Sequence, residues 1–295
     1  MFQDAIGRVG SRILAPPKSF PLFVYIDAGG RSEVTRVWGG LVAVGEAEDA
    51  WLLEALRDLR VRNVPTNPPT EELKGAVLPS AEIRRVARRL REEDHRVLFW
   101  ANWYPEASSP EITRISKRAI AEIRSIRADR LRLDAPAIQS RYNGMADYLD
   151  GLKSVNRYKV MSVLAHLQWL MAELERVHLG PQVGSVRVLV DQEGLPEPAQ
   201  AADLVKLHVA ASLQAVGMSV RLTGKALREG HDKGAVVVDM NADSRDFPGL
   251  QLTDMLLQLV QRKLPGYGGS RRLSDAEHLK AKRRPALVRL DAPQT

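Results

Sequence analysis

Two apolar runs in this chain end on an acid. Phe23, Val24, Tyr25 and Ile26 lead without alternation into Asp27, and Val186, Val188, Leu189 and Val190 lead into Asp191. Runs of this kind read as strands buried on both faces. Neighbouring strands lie about 4.8 Å apart. If these two are neighbours, Asp27 and Asp191 share a crevice at a strand end, where open α/β sheets place their ligands. Two carboxylates in one crevice repel each other, so one keeps a proton or a cation lies between them. A hard divalent ion with oxygen ligands, Mg²⁺ or Mn²⁺, answers that repulsion. An acid at a strand end also serves as an ordinary turn residue, and Asp27 before Ala-Gly-Gly fits that role too.

Further acids stand in segments that read as partly apolar. In GLQLTDMLLQLVQRKL the main apolar stripe is Leu252, Met255, Leu256, Leu259 and Val260, with Asp254 off its centre beside Leu250 and Leu257. An acid near a helix N-terminus is also favoured by the helix dipole alone. Glu71 and Glu72 lie in a proline-bounded loop and precede Leu73, Lys74 and Gly75; an ordinary solvated charge cluster has the same composition.

Taken together, YID (25 to 27), ELKG (72 to 75), VLVD (188 to 191) and DSRDFPGLQLTD (243 to 254) resemble the domain of unknown function 3800 family. The resemblance runs from about 22 to 263. It implies an α/β, RNase H-like mixed sheet flanked by helices, and a carboxylate site suited to two-metal chemistry on nucleic acid. Carried over by position, it makes Asp27, Glu72, Asp191 and Asp254 metal-binding and catalytic. Lys74 and Ser244 match recurrent polar positions. The family's Tyr-Ile-Asp-Glu-Ser-Gly reads Tyr-Ile-Asp-Ala-Gly-Gly here, and Thr253 replaces the usual alanine.

With that resemblance, the expected activity is a Mg²⁺- or Mn²⁺-dependent nuclease hydrolysing phosphodiester bonds in DNA or RNA. Asp27 is expected to bridge two ions, with Glu72, Asp191 and Asp254 completing their shells. Lys74 is expected to neutralise a non-bridging phosphate oxygen.

Composition narrows the classes. Net charge is +7 and the sequence pI is about 9.7, which favours an anionic partner such as nucleic acid. RRVARRLR puts Arg84, Arg88 and Arg91 on one helical face, and the segment from 110 to 133 is rich in arginine. Arg271, Arg272, Lys280, Lys282, Arg283 and Arg284 make a basic tail with few offsetting acids. Arg84, Arg88, Arg271, Arg272, Arg283 and Arg284 are the expected phosphate contacts, although arginine-rich helices are commonly solvated faces with acid partners. The absence of cysteine excludes disulfides, thiolate zinc sites, iron–sulfur clusters and cysteine nucleophiles. None of the six histidines has metal-ligand spacing, and there is no Gly-x-Ser-x-Gly elbow. No apolar run spans a bilayer and the first twenty residues carry no signal-peptide core, so a cytoplasmic location is expected.

Two other classes stay open. DAGGRS resembles the phosphate loop of sugar kinases and actin-like ATPases, but Arg31 stands where Thr is expected, and Gln192-Glu193-Gly194 makes a poor second loop. A catalytically decayed protein that binds nucleic acid or a partner protein is the other class, and Ala28 and Gly29 keep it open.

The elements that must position these residues alternate between strand and helix. Strands are expected at 22 to 27, 34 to 44, 96 to 104, 185 to 191, 218 to 224 and 235 to 240. Helices are expected near 48 to 61, 80 to 93, 110 to 133, 157 to 178, 199 to 216 and 249 to 263. A lead-in occupies 1 to 20, the RNase H-like domain 21 to 265 with a helical insertion at about 105 to 160, and the basic tail 266 to 295.

Overall fold

The computed structural model describes residues 20–29, 36–63, 72–76, 78–92, 97–104, 109–125, 135–157, 159–161, 163, 164, 167, 183–192, 197–215, 236–261 and 286–287. The expected strand at 218 to 224 and the basic tail at 270 to 284 lie outside them.

The fold is mixed α/β. Strands β1 (Phe20–Gly29), β2 (Arg36–Val44), β3 (Val97–Tyr104), β4 (Val183–Asp191), β5 (Val236–Ala242) and β6 (Ala286–Leu287) form a sheet of order β5-β4-β1-β2-β3-β6. β2 pairs antiparallel with β3, from Arg36 opposite Tyr104 to Ala43 opposite Val97. β1 and β4, the two strands that carry an acid at or near their C-terminal end, are neighbours. Val24, Tyr25, Ile26 and Asp27 are all buried, so β1 is covered on both faces there, as its unbroken apolar run requires. Tyr25 keeps its polar end satisfied by donating its hydroxyl to Asp49.

Two compact units emerge from the contacts: residues 1–22, 108–188 and 194–240, and residues 23–107, 189–193 and 241–295. The second contains helices α1 (Glu46–Asn63) and α2 (Ser80–Glu92). α1 buries Trp51, Leu52, Ala55, Leu56 and Leu59, the spacing of one helical face. α2 buries Ile83 and Val86 in the same way and turns Arg84, Arg85 and Arg88 outward.

The first unit holds α3 (Ser109–Ser125), α4 (Ala135–Gly151) and α5 (Pro198–Ala215), with residues between 154 and 167 also helical where described. α3 packs on α4, and Arg124 on α3 pairs with Asp147 at 2.8 Å and Asp150 at 3.7 Å on α4. After α4 the chain turns around buried Arg157, whose Nη2 donates to the carbonyls of Asp150 and Leu152 at 2.8 and 2.9 Å. α4 is a helix of its own, where the residue pattern suggested only a general helical block. Val160, Val163 and Leu167, within the helix expected near 157 to 178, are buried.

The last helix, α6 (Pro248–Gln261), lies in the second unit against β2, β3, α1 and α2. Phe247 closes its first turn by accepting the amides of Leu250 and Gln251, and Pro248 follows where a missing N–H costs nothing. Leu250, Leu252, Met255, Leu256, Leu257 and Leu259 are all buried, together with Gln251 and Thr253. Leu252, Met255, Leu256 and Leu259 of the expected main stripe are thus buried, and burial extends beyond it to Leu250, Gln251, Thr253 and Leu257. Thr253 meets that burial by donating its hydroxyl to the Gly249 carbonyl at 2.6 Å, one turn back.

Candidate functional site

Glu72, Lys74 and Gly75 lie on a short segment that α6 holds by its side chains. The segment alternates: Leu73 and Gly75 are buried, while Lys74 is exposed. The Gly75 amide donates to Asp254 Oδ2 at 2.7 Å. A Cβ at Gly75 would stand 2.7 Å from Met255 Cα, so only glycine lets the segment approach the helix backbone this closely. Nearer the start of α6, a Cβ on Gly249 would collide with the Tyr25 ring, so glycine there lets the helix start approach that side chain of β1.

Glu72 is the focus of the polar contacts. Its Oε1 accepts from Lys74 Nζ at 2.5 Å and from the Ser244 hydroxyl at 2.5 Å. The Glu72 side chain is 16% exposed and Lys74 is 53% exposed, so the pair lies where the cluster opens to solvent. Ser244 is presented by a tight turn. Asp243 accepts the Arg245 amide at 2.9 Å and grips its guanidinium, while the Phe247 amide donates to the Ser244 carbonyl at 3.4 Å. The Arg245 side chain and amide beside Asp243 lower that exposed carboxyl to about 2.

Asp191 and Asp254 share the electrostatic field of Lys74 and Glu72. Burial pushes the Asp254 carboxyl above its ordinary range, against the pull of the Gly75 amide, the Lys74 ammonium and Gln258; the Glu72 charge adds to the rise. Burial likewise raises Asp191, opposed by the Gln192 amide and by Lys74 and reinforced by Glu72 and Asp254. Burial would lower Lys74. The hydrogen bond to Glu72 and the charges of Glu72, Asp254 and Asp191 outweigh it and hold the ammonium above its usual value. A desolvated acid pair raised by burial and like charge, with a cation among them, marks a candidate functional cluster, although structural ion-pair networks shift carboxylates in the same way.

Asp27 is 6% exposed on β1, beside the strand that ends in Asp191, and the Ala28 amide donates to its Oδ1 at 2.7 Å. Asp27, Glu72, Asp191 and Asp254 offer carboxylate oxygens, the donor type that a hard divalent ion takes. Among the described residues, no three acidic or histidine side chains already form a ligating group. The fit to such an ion is one of donor type and burial.

The other expected contacts divide. Arg84 and Arg88 are exposed on α2, whereas Arg89 beside them is engaged by Asp58 at 2.7 Å and lies 5.4 Å over the Trp51 ring. Arg271, Arg272, Arg283 and Arg284 fall outside the described residues. Among the described residues no helix is long and apolar enough to cross a membrane. Sequence reasoning missed Gln251. It is 1% exposed and hydrogen-bonds the Glu72 segment and the Ser244 turn together. Its signal was a polar residue three before Asp254 in an otherwise apolar run.

No family model matches the chain, and no curated protein matches it.

Proposed function

We propose that this chain is an RNase H-like nuclease of the domain of unknown function 3800 kind, hydrolysing phosphodiester bonds in DNA or RNA with Mg²⁺ or Mn²⁺. The observation that carries the reading is the convergence of Asp191, Asp254 and Glu72, from three distant segments, into one field around Lys74, with both aspartates raised first by burial. Asp27, on the strand next to Asp191, supplies the fourth carboxylate.

Asp27, Glu72, Asp191 and Asp254 would hold the ion, which when bound activates a water and stabilises the leaving oxygen. The Gly75 amide commits Asp254 Oδ2 and so orients that carboxylate. Ser244 does the same for Glu72 Oε1. Lys74, half exposed at the opening, is placed to meet a non-bridging phosphate oxygen as substrate arrives. Arg84 and Arg88, with Arg271, Arg272, Arg283 and Arg284 of the tail, supply the charge that holds a nucleic-acid backbone.

The second reading is a binder without cleavage. It is favoured by Ala28 and Gly29, which replace an acid and a hydroxyl of the family pattern, and by the Lys74 ammonium already neutralising Glu72. One experiment separates the two. Labelled DNA and RNA are incubated with the wild type and with Asp27→Asn, with and without Mn²⁺. Metal-dependent cleavage by the wild type alone supports the nuclease; binding by both proteins with cutting by neither supports the binder. Thermal stabilisation by ATP, with none by Mn²⁺, would instead favour the actin-like phosphotransferase class.

A further inference from the structure

A ring of hydrogen bonds closes through Gln251. Its Oε1 accepts the Leu73 amide at 3.3 Å and Arg60 Nη2 at 3.2 Å, and its Nε2 donates to the Ser244 carbonyl at 2.8 Å. The Ser244 hydroxyl donates to Glu72 Oε1 at 2.5 Å, and one peptide bond joins Glu72 back to Leu73. A primary amide carries its acceptor and its donor on separate atoms of one side-chain tip, an oxygen for the Leu73 amide and Arg60 and a nitrogen for the Ser244 carbonyl. A carboxylate would lose the bond to Ser244, and an aliphatic side chain would lose all of them. Because Gln251 is buried, water does not replace what such a change removes.

The ring also has a mechanical consequence. Gln251 and Asp254 are three residues apart on α6 and so lie on one side of it. They accept the amides of Leu73 and Gly75, two alternate residues of the loop segment. The segment is thus pinned at two points, and the one intervening residue, Lys74, is exposed. Ser244 then fixes the direction of the Glu72 carboxylate.

We infer that Gln251 is a positioning residue that sets Glu72 through Leu73 and Ser244, without touching a ligand itself. Its effect on metal affinity rests on reading Glu72 as a metal ligand. Residues that orient a ligand from behind typically change metal affinity by about 10- to 100-fold when replaced.

The test uses the full chain as wild type, Gln251→Leu and Ser244→Ala, the last breaking the ring at Glu72 while leaving Gln251 in place. Mn²⁺ binding is followed by the electron-paramagnetic signal of the free ion, at a temperature where circular dichroism shows each variant folded. Exchange of the Leu73 amide is followed by NMR without metal. Loss of Mn²⁺ affinity by about 10-fold or more in both variants, with faster Leu73 exchange in Gln251→Leu, supports the inference. A lower melting temperature with unchanged Mn²⁺ affinity makes Gln251 a packing residue only and overturns it. If the wild type binds no Mn²⁺, the carboxylate-site reading fails on that result alone. Leu73 exchange then decides the ring: faster exchange in Gln251→Leu upholds it and unchanged exchange refutes it.

Discussion

Asp254 is held in tension between a backbone amide that wants its charge and a surrounding that does not. Burial is the larger influence, so its carboxyl rises above the ordinary range. The folded state therefore holds its proton to higher pH than the unfolded chain does. Stability is full below the unfolded value and falls as pH rises from there through the raised folded value. Asp191 adds a fall of the same sign. Asparagine at 254 keeps an oxygen for the Gly75 amide and removes the charge, and Gln258 remains as a side-chain partner. Asp254→Asn is expected to melt above the wild type at neutral pH, with the difference shrinking as pH falls below the usual carboxylate range. Melting curves across that range check it, and a variant less stable than the wild type at neutral pH would refute the account. The same residue shows what the sequence disclosed. Asp27, Asp191 and Asp254 were legible because a carboxylate inside or after an apolar run is costly and therefore conspicuous. Gln251 was not, because a neutral amide within such a run carries no charge to mark it. Its importance lies in partners 178 and 7 residues away.

At the scale of elements, the site depends on how closely α6 can be approached. Gly75 is a point of close approach to backbone, its absent side chain facing Met255 Cα. Backbone cannot yield as a side-chain tip can. Gly75→Ala is expected to cost about 1–3 kcal/mol, the range for inserting a methyl group into packed structure. It is also expected to lengthen or break the amide bond to Asp254. Chemical denaturation measures the first effect, and loss of exchange protection at the residue 75 amide measures the second; an alanine variant as stable as the wild type would show that the segment lies farther from the helix. Elements differed in legibility for similar reasons. α6, α1 and β1 carry strong apolar patterns. α4 did not stand out, because its buried face is Tyr142, Met145, Ala146 and Leu149, a short and chemically mixed set interrupted by Gly144 and entered through Pro136. The burial of α6 beyond its main stripe is set by the elements around it, which no local period encodes.

Across the whole molecule the excess of positive charge is +7, and the question is which cations are available to an anion. α2 poses it in miniature, because it carries engaged and solvent-facing arginines on adjacent positions. Arg89 is held by Asp58 and the Trp51 ring, and Arg85 stands 3.5 Å from Glu82. Arg84 and Arg88, one helical turn apart, face solvent opposite the buried Ile83 and Val86. Replacing that exposed pair should leave stability within about 0.5 kcal/mol of the wild type. If both arginines neutralise phosphates of a duplex, the double variant Arg84→Ala/Arg88→Ala should bind more weakly. The slope of log affinity against log salt should then become shallower by roughly 1.8, about 0.9 for each phosphate no longer neutralised. Arg89→Ala is the control with the opposite signature. It gives up an ion pair and a ring interaction and is expected to lose about 0.5–1 kcal/mol of stability with the salt slope unchanged. Titrations of labelled duplex at several salt concentrations, paired with melting curves, measure both quantities. A salt slope unaltered in the double variant would remove α2 from the nucleic-acid surface and leave the tail arginines to supply the attraction.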